Sequence, residues 1–107
     1  MTVKSIREAN ESPLTQAAGS TATRTYTYDT SANGTPTNPA VQVYATSDLS
    51  TSVKATVMPA GSPSVTDDII TLPPLTALTA GVSYRVDITY TIGANVYIDY
   101  FIVNAER

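Results

Sequence analysis

The chain has 107 residues and a formal net charge of -3, with six basic and nine acidic residues and neither cysteine nor histidine. That length is one domain with a single core. The missing cysteine removes disulfides and thiolate chemistry, the missing histidine removes the commonest general base and metal ligand, and the acidic balance opposes a nucleic-acid footprint. Serine and threonine supply 28 residues, 18 of them threonine, a β-branched residue that favours strands. We therefore expect an all-β protein with no cofactor.

No apolar run approaches the ~20 residues that span a bilayer, and Met1 is not followed by a charged and then an apolar signal region. The expectation is a soluble chain without a membrane partner. Two acceptor-like triplets, Asn10-Glu11-Ser12 and Asn33-Gly34-Thr35, read as loops.

Residues 1–20 show little periodicity and read as an N-terminal arm ahead of a domain over 21–107. A short strand over 2–6 competes with a helix over 5–9, where Ser5 and Glu8 mimic a capping box. Ile6 and Ala9 are too small an apolar face to hold that helix. Val3 and Ile6, flanked by Lys4 and Arg7, make the arm a candidate contact element. It either adds an edge strand to its own sheet or reaches a neighbouring protein. In the second case deleting residues 1–10 leaves the domain folded and abolishes assembly.

Residues 21–29 alternate threonines against Arg24, Tyr26 and Tyr28 and predict a strand. A loop follows over 30–39, then strands over 40–46 and 51–58, and a weaker one over 65–72 interrupted by Asp67-Asp68. Pro73-Pro74 ends it. Two adjacent acids are a weak calcium signal and read as a solvated turn. Lys54 near Ser50 and Ser52 mimics a serine–lysine pair but reads as outward surface.

The clearest segment is 83–92, where Tyr84, Val86, Ile88, Tyr90 and Ile92 alternate with Ser83, Arg85, Asp87, Thr89 and Thr91. Only a half-buried strand has that period. A three-residue loop, Gly93-Ala94-Asn95, is expected to lead into a return strand over 96–104, with Asn95 left-handed. Asp87, Asp99 and Arg85 are expected on the outer face of this hairpin, as cross-strand charge pairs. Tyr97, Tyr100 and Phe101 put large groups on both faces of the return strand. Either the domain covers both faces, or Tyr97, Phe101 and Val103 form a subunit contact. A sugar-stacking platform is a third reading, weakened by the absence of tryptophan.

The run Leu78-Thr79-Ala80-Gly81-Val82-Ser83-Tyr84-Arg85-Val86 resembles the corner of fibronectin type III and related immunoglobulin-like domains. There a leucine, a glycine turn and a tyrosine precede an alternating strand. Leu78, Gly81 and Tyr84 would form that corner, and the resemblance implies a Greek-key β-sandwich of about seven strands. The opening Thr2-Val3-Lys4-Ser5-Ile6-Arg7-Glu8-Ala9-Asn10-Glu11-Ser12-Pro13, with Tyr84-Arg85-Val86-Asp87-Ile88, Gly93-Ala94-Asn95-Val96-Tyr97 and the closing Asn104-Ala105-Glu106-Arg107, resembles small virion proteins of tailed bacteriophages. That resemblance spans nearly the whole chain. It implies a non-enzymatic structural part of the virion, in the head–tail connector or neck or as capsid decoration. Its partners would be capsid, portal or neck and tail subunits, in many copies per particle. A carbohydrate-binding or adhesion module is the alternative.

Overall fold

A computed structural model describes residues 2–8, 14–19 and 23–106, the first of these segments by its backbone. Among the described residues, eight strands and one helical turn follow in chain order. They are β1 (Thr2–Glu8), β2 (Leu14–Ala17), β3 (Thr27–Asp29), β4 (Thr37–Ala45), α1 (Lys54–Val57), β5 (Ser64–Thr66), β6 (Ile69–Thr71), β7 (Ser83–Ile92) and β8 (Asn95–Glu106). The protein is an all-β sandwich of two packed sheets.

The larger sheet runs β4-β7-β8, with β1 and β2 both on the far side of β8. β4 pairs antiparallel with β7, and β7 with β8 through a hairpin. β1 and β2 pair with β8 in parallel and share its length. β1 runs from Thr2 opposite Asn95 to Glu8 opposite Tyr100, and β2 from Leu14 opposite Val103 to Ala17 opposite Glu106. The smaller sheet is antiparallel, in the order β3-β6-β5. Residues 2–8 and 14–17, read as an arm that either adds an edge strand to its own sheet or reaches a neighbour, lie as strands along the edge of the larger sheet.

The core lies between the sheets. Val41 and Val43, then Tyr84, Val86, Ile88 and Tyr90, then Phe101 and Val103 face Tyr26, Tyr28, Ile70 and Leu72. The expected alternation over 83–92 holds as far as Tyr90, with Ile92 half-buried where the hairpin leaves the core. Tilted and stacked rings fill the middle: Tyr26 and Phe101 have centroids 5.2 Å apart, Tyr28 and Tyr90 6.3 Å, and Tyr90 and Tyr97 5.4 Å.

Several elements differ from expectation for local reasons. Residues 51–58 contain no strand; Lys54–Val57 is a helical turn in which Val57 N–H donates to Val53 O and Met58 N–H to Lys54 O. Val53 and Val57 satisfy a strand's period over a short window but also lie four apart on one helix face. The turn buries Val57 and Met58 while Ala55 stays exposed. Residues 65–72 form a hairpin rather than one strand. Thr66 pairs with Ile69, and Asp67 takes φ 53° in the tight loop, a conformation aspartate tolerates. β4 begins at Thr37, inside the expected loop, and its register slips between Thr37 and Ala40. Pro39 sits in that irregularity, where a missing N–H costs no ladder bond. Of the described residues of the expected strand over 21–29, which begin at 23, Thr27–Asp29 is strand and Arg24 bridges singly to Leu75.

The corner before β7 is closed by the Tyr84 hydroxyl, which accepts a 2.9 Å hydrogen bond from Thr79 N–H. Leu78 is buried in the core beside it, and Gly81 supplies φ +82°, a conformation without penalty only for glycine. Gly81 N–H then donates to Ala105 O at 3.0 Å, which ties the corner to β8.

Candidate interaction surface

The β7–β8 hairpin determines which side chains face outward. Ile92 pairs with Asn95, so the loop holds only Gly93 and Ala94, and Gly93 takes φ +60° where Asn95 was expected to be left-handed. A glycine with positive φ at the first loop position is the pattern of a two-residue hairpin turn. Counting on from it, Tyr97, Asp99, Phe101 and Val103 fall opposite Tyr90, Ile88, Val86 and Tyr84. Cross-strand partners share a face, so this set points into the core.

Of the residues assigned to a contact in the return strand, Phe101 and Val103 are buried and Tyr97 packs partly against the core. Phe101 is 4% exposed and Val103 0%, and Tyr97 is half-buried with its ring stacked on Tyr90. Asp99, expected on the outer face, is fully buried. Its Oδ2 accepts hydrogen bonds from the hydroxyls of Tyr28 at 2.5 Å and Tyr90 at 2.7 Å. Asn33 Nδ2 extends the chain by donating to the Tyr90 hydroxyl at 3.0 Å. A second buried relay runs from the Tyr26 hydroxyl to Gln16 Oε1 at 2.8 Å and from Gln16 Nε2 to Leu75 O at 2.7 Å. Burial raises the pKa of the Tyr26 hydroxyl above its ordinary value, against the opposing pull of Arg24, whose guanidinium lies 4.9 Å from the ring centroid.

The outward face carries the other parity. Ile98, Tyr100 and Ile102 of β8 lie opposite Thr89, Asp87 and Arg85 of β7, and Tyr44 of β4 lies opposite Arg85. All of these are half-buried. Arg85 Nε meets Asp87 Oδ1 at 2.6 Å, and the guanidinium carbon stands 4.0 Å from the Tyr100 ring centroid. This arrangement fixes a long side chain over an aromatic face. The result is an apolar band, Ile98 to Ile102, bordered by a self-neutralised arginine and aspartate, next to the β1 edge. Aromatic and arginine side chains held rigid in this way suit protein contacts.

Val3, Ile6 and Arg7 of β1 take register positions beside Val96, Ile98 and Asp99, and Lys4 falls at a shift in that register; their side chains lie outside the described residues. So does the triplet Asn10-Glu11-Ser12. Asn33 of the other triplet is half-buried and engaged with Tyr90.

The remaining candidates are occupied by local bonds. Lys54 Nζ donates to Gly61 O at 3.1 Å, Ser52 Oγ donates to Gln42 Oε1 at 2.6 Å, and Ser50 Oγ donates to Asp48 Oδ1 at 2.6 Å. Gln42, Ser52 and Lys54, with Ala55 and Pro59, line an open surface hollow of about 460 Å³. Asp68 Oδ1 accepts from the Thr35 hydroxyl at 2.6 Å. Among the described residues no group of three His, Cys, Asp or Glu side chains converges to hold a metal ion, and no helix is long and apolar enough to cross a membrane.

No protein-family model, no curated protein and no solved structure matches the chain.

Proposed function

We propose that this chain is a non-enzymatic structural protein of a tailed-phage particle, in the head–tail connector or neck or on the capsid surface. It acts by binding capsid, portal or neck and tail subunits in many copies. The observation that carries the binding role is the outward band Ile98, Tyr100 and Ile102, with Arg85 braced over Tyr100. The sequence resemblance supplies the virion assignment. The fold is read as immunoglobulin-like: the order β3-β6-β5 in one sheet and β4-β7-β8 in the other corresponds to a Greek-key sandwich whose last hairpin closes the second sheet. The tyrosine corner at Tyr84 supports the same reading.

Mass spectrometry of purified particles tests it. The protein should be present in many copies, and Tyr100→Ser should deplete it from particles while the purified variant stays folded. Its absence from particles overturns the proposal, and reproducible saccharide binding on a glycan array would favour the adhesion alternative instead.

A further inference from the structure

The loop between β3 and β4 contains Asn33-Gly34, whereas the other four asparagines precede glutamate, proline, valine and alanine. An asparagine followed by glycine is the pair whose backbone cyclises most readily, because glycine offers no side chain to hinder attack by its nitrogen. The Gly34 nitrogen attacks Cγ of Asn33 and a C–N bond forms. The carboxamide nitrogen leaves as ammonia with the proton the Gly34 nitrogen gives up. Water then opens the five-membered imide at either carbonyl, leaving aspartate or isoaspartate.

In the folded domain both reacting groups are committed elsewhere. Gly34 N–H donates to Thr30 O at 2.9 Å, and Asn33 N–H donates to the same oxygen at 2.8 Å. The Asn33 carboxamide donates to the Tyr90 hydroxyl, which in turn donates to buried Asp99. Thr30 is itself buried, and its hydroxyl donates to Gly34 O at 2.9 Å. Gly34 sits at φ +126° with its α-carbon packed toward Ile92, where an added Cβ would lie 3.2 Å from Cγ2. The loop is therefore tied on both sides of the Asn33-Gly34 bond and seated on the end of β7.

We infer that Asn33-Gly34 is a deamidation site that the folded domain holds closed through the Asn33–Tyr90 hydrogen bond and the Thr30–Gly34 turn. Water is the only co-reactant. Reaction proceeds from the opened loop, and its product replaces the amide donor facing Tyr90 by a carboxyl group, so conversion removes the latch that prevented it.

The test incubates the full chain at mildly alkaline pH, in native buffer and in urea, and follows the mass gain of NH2 replaced by OH at Asn33 by peptide mapping. Asn95 and Asn104 serve as internal controls. Asn33 should convert fastest of all asparagines in urea and much more slowly in native buffer. Tyr90→Phe, shown folded by circular dichroism, should raise the native rate about fivefold, the change in open-loop population that losing one hydrogen bond produces, with no change in urea. Equal native and denatured rates in the wild type overturn the inference, as does a folded Tyr90→Phe variant no faster than wild type. If that variant does not fold, the wild-type ratio of denatured to native rate decides alone.

Discussion

Tyr28, from the smaller sheet, donates a 2.5 Å hydrogen bond to Asp99 of the larger one, across 71 residues of sequence. The bond joins the two layers, and Tyr90, which accepts from Asn33, shares the same acceptor oxygen. A buried polar group stabilises only while its partners are in place; removing the shared acceptor takes it from two hydroxyl donors at once. Asp99→Ala should therefore cost about 2 to 4 kcal/mol, and Tyr28→Phe, which strands no donor, about 1 to 2 kcal/mol. Urea unfolding of both variants reads the difference. Equal losses would mean the carboxyl group is not the organising acceptor.

The two parities of β8 should separate stability from binding. Phe101→Ala empties a core position against Tyr26 and should cost about 3 to 5 kcal/mol. Tyr100→Ser removes a half-exposed ring and its contact with Arg85. It should cost about 1 kcal/mol or less and, on the proposed virion role, reduce incorporation into particles. Thermal unfolding of the purified variants, beside their abundance in particles, tests the pair. A Phe101→Ala variant as stable as Tyr100→Ser would place the core on the wrong face.

That parity was the main thing the sequence concealed, and the reason is one residue of loop. A three-residue turn over 93–95 pairs Ile92 with Val96 and sends odd-numbered β8 residues outward, which is where Tyr97, Asp99, Phe101 and Val103 were expected. The actual loop of Gly93 and Ala94 pairs Ile92 with Asn95 and reverses every side chain, because a slip of one residue exchanges the two faces of a strand. Asp99 reinforced the error, since an aspartate in a strand reads as solvent-facing unless two tyrosine donors from distant positions are known. By contrast β7 was legible as far as Tyr90, because its alternation is uninterrupted up to there, and so was the Tyr84 corner, because its glycine and tyrosine are local. Residues 53–57 were ambiguous for a physical reason: Val53 and Val57 fit both a period of two and a spacing of four.

Tyr84→Phe should isolate the corner. It removes the acceptor of Thr79 N–H while leaving the buried ring in place. A half-buried N–H without its partner loses about 1 kcal/mol. Hydrogen exchange at Thr79 should accelerate with little change at Ile88 in the centre of β7. Uniform acceleration would mean that the corner is part of the global unfolding unit rather than a local clasp.

Stability should fall at both extremes of pH, from different groups. The carboxyl groups of Asp29 and Asp48 are held below their ordinary pKa by hydrogen bonds from Ser31 and Ser50 respectively. A depressed folded pKa contributes stability that is present above the unfolded value of 3.8 and lost as pH falls through the folded one. Tyr26 has the opposite sign. Its folded pKa is raised by burial, so its contribution is complete below the unfolded value of 10.0 and lost as pH rises towards the folded one. Melting temperature measured across pH should show an acid loss that Asp29→Asn and Asp48→Asn flatten together, and an alkaline loss that Tyr26→Phe flattens alone. An alkaline loss unchanged in Tyr26→Phe would assign it to another tyrosine.

Deleting residues 1–10 tests whether the N-terminal segment belongs to the sheet or only to an assembly. β1 runs beside β8 from Thr2 opposite Asn95 to Glu8 opposite Tyr100, so its loss uncovers one side of half of the longest strand and leaves the N–H and C=O groups on that side without strand partners, while β7 still pairs the other side. Unpaired edges are prone to association with other chains. The truncated protein should melt at a lower temperature and self-associate, with the loss of hydrogen-exchange protection concentrated over residues 95–100 and spared over 103–106, where β2 still pairs. A truncated chain that melts like the full one, stays monomeric and keeps its protection over 95–100 would make β1 dispensable to the fold and leave assembly as its role.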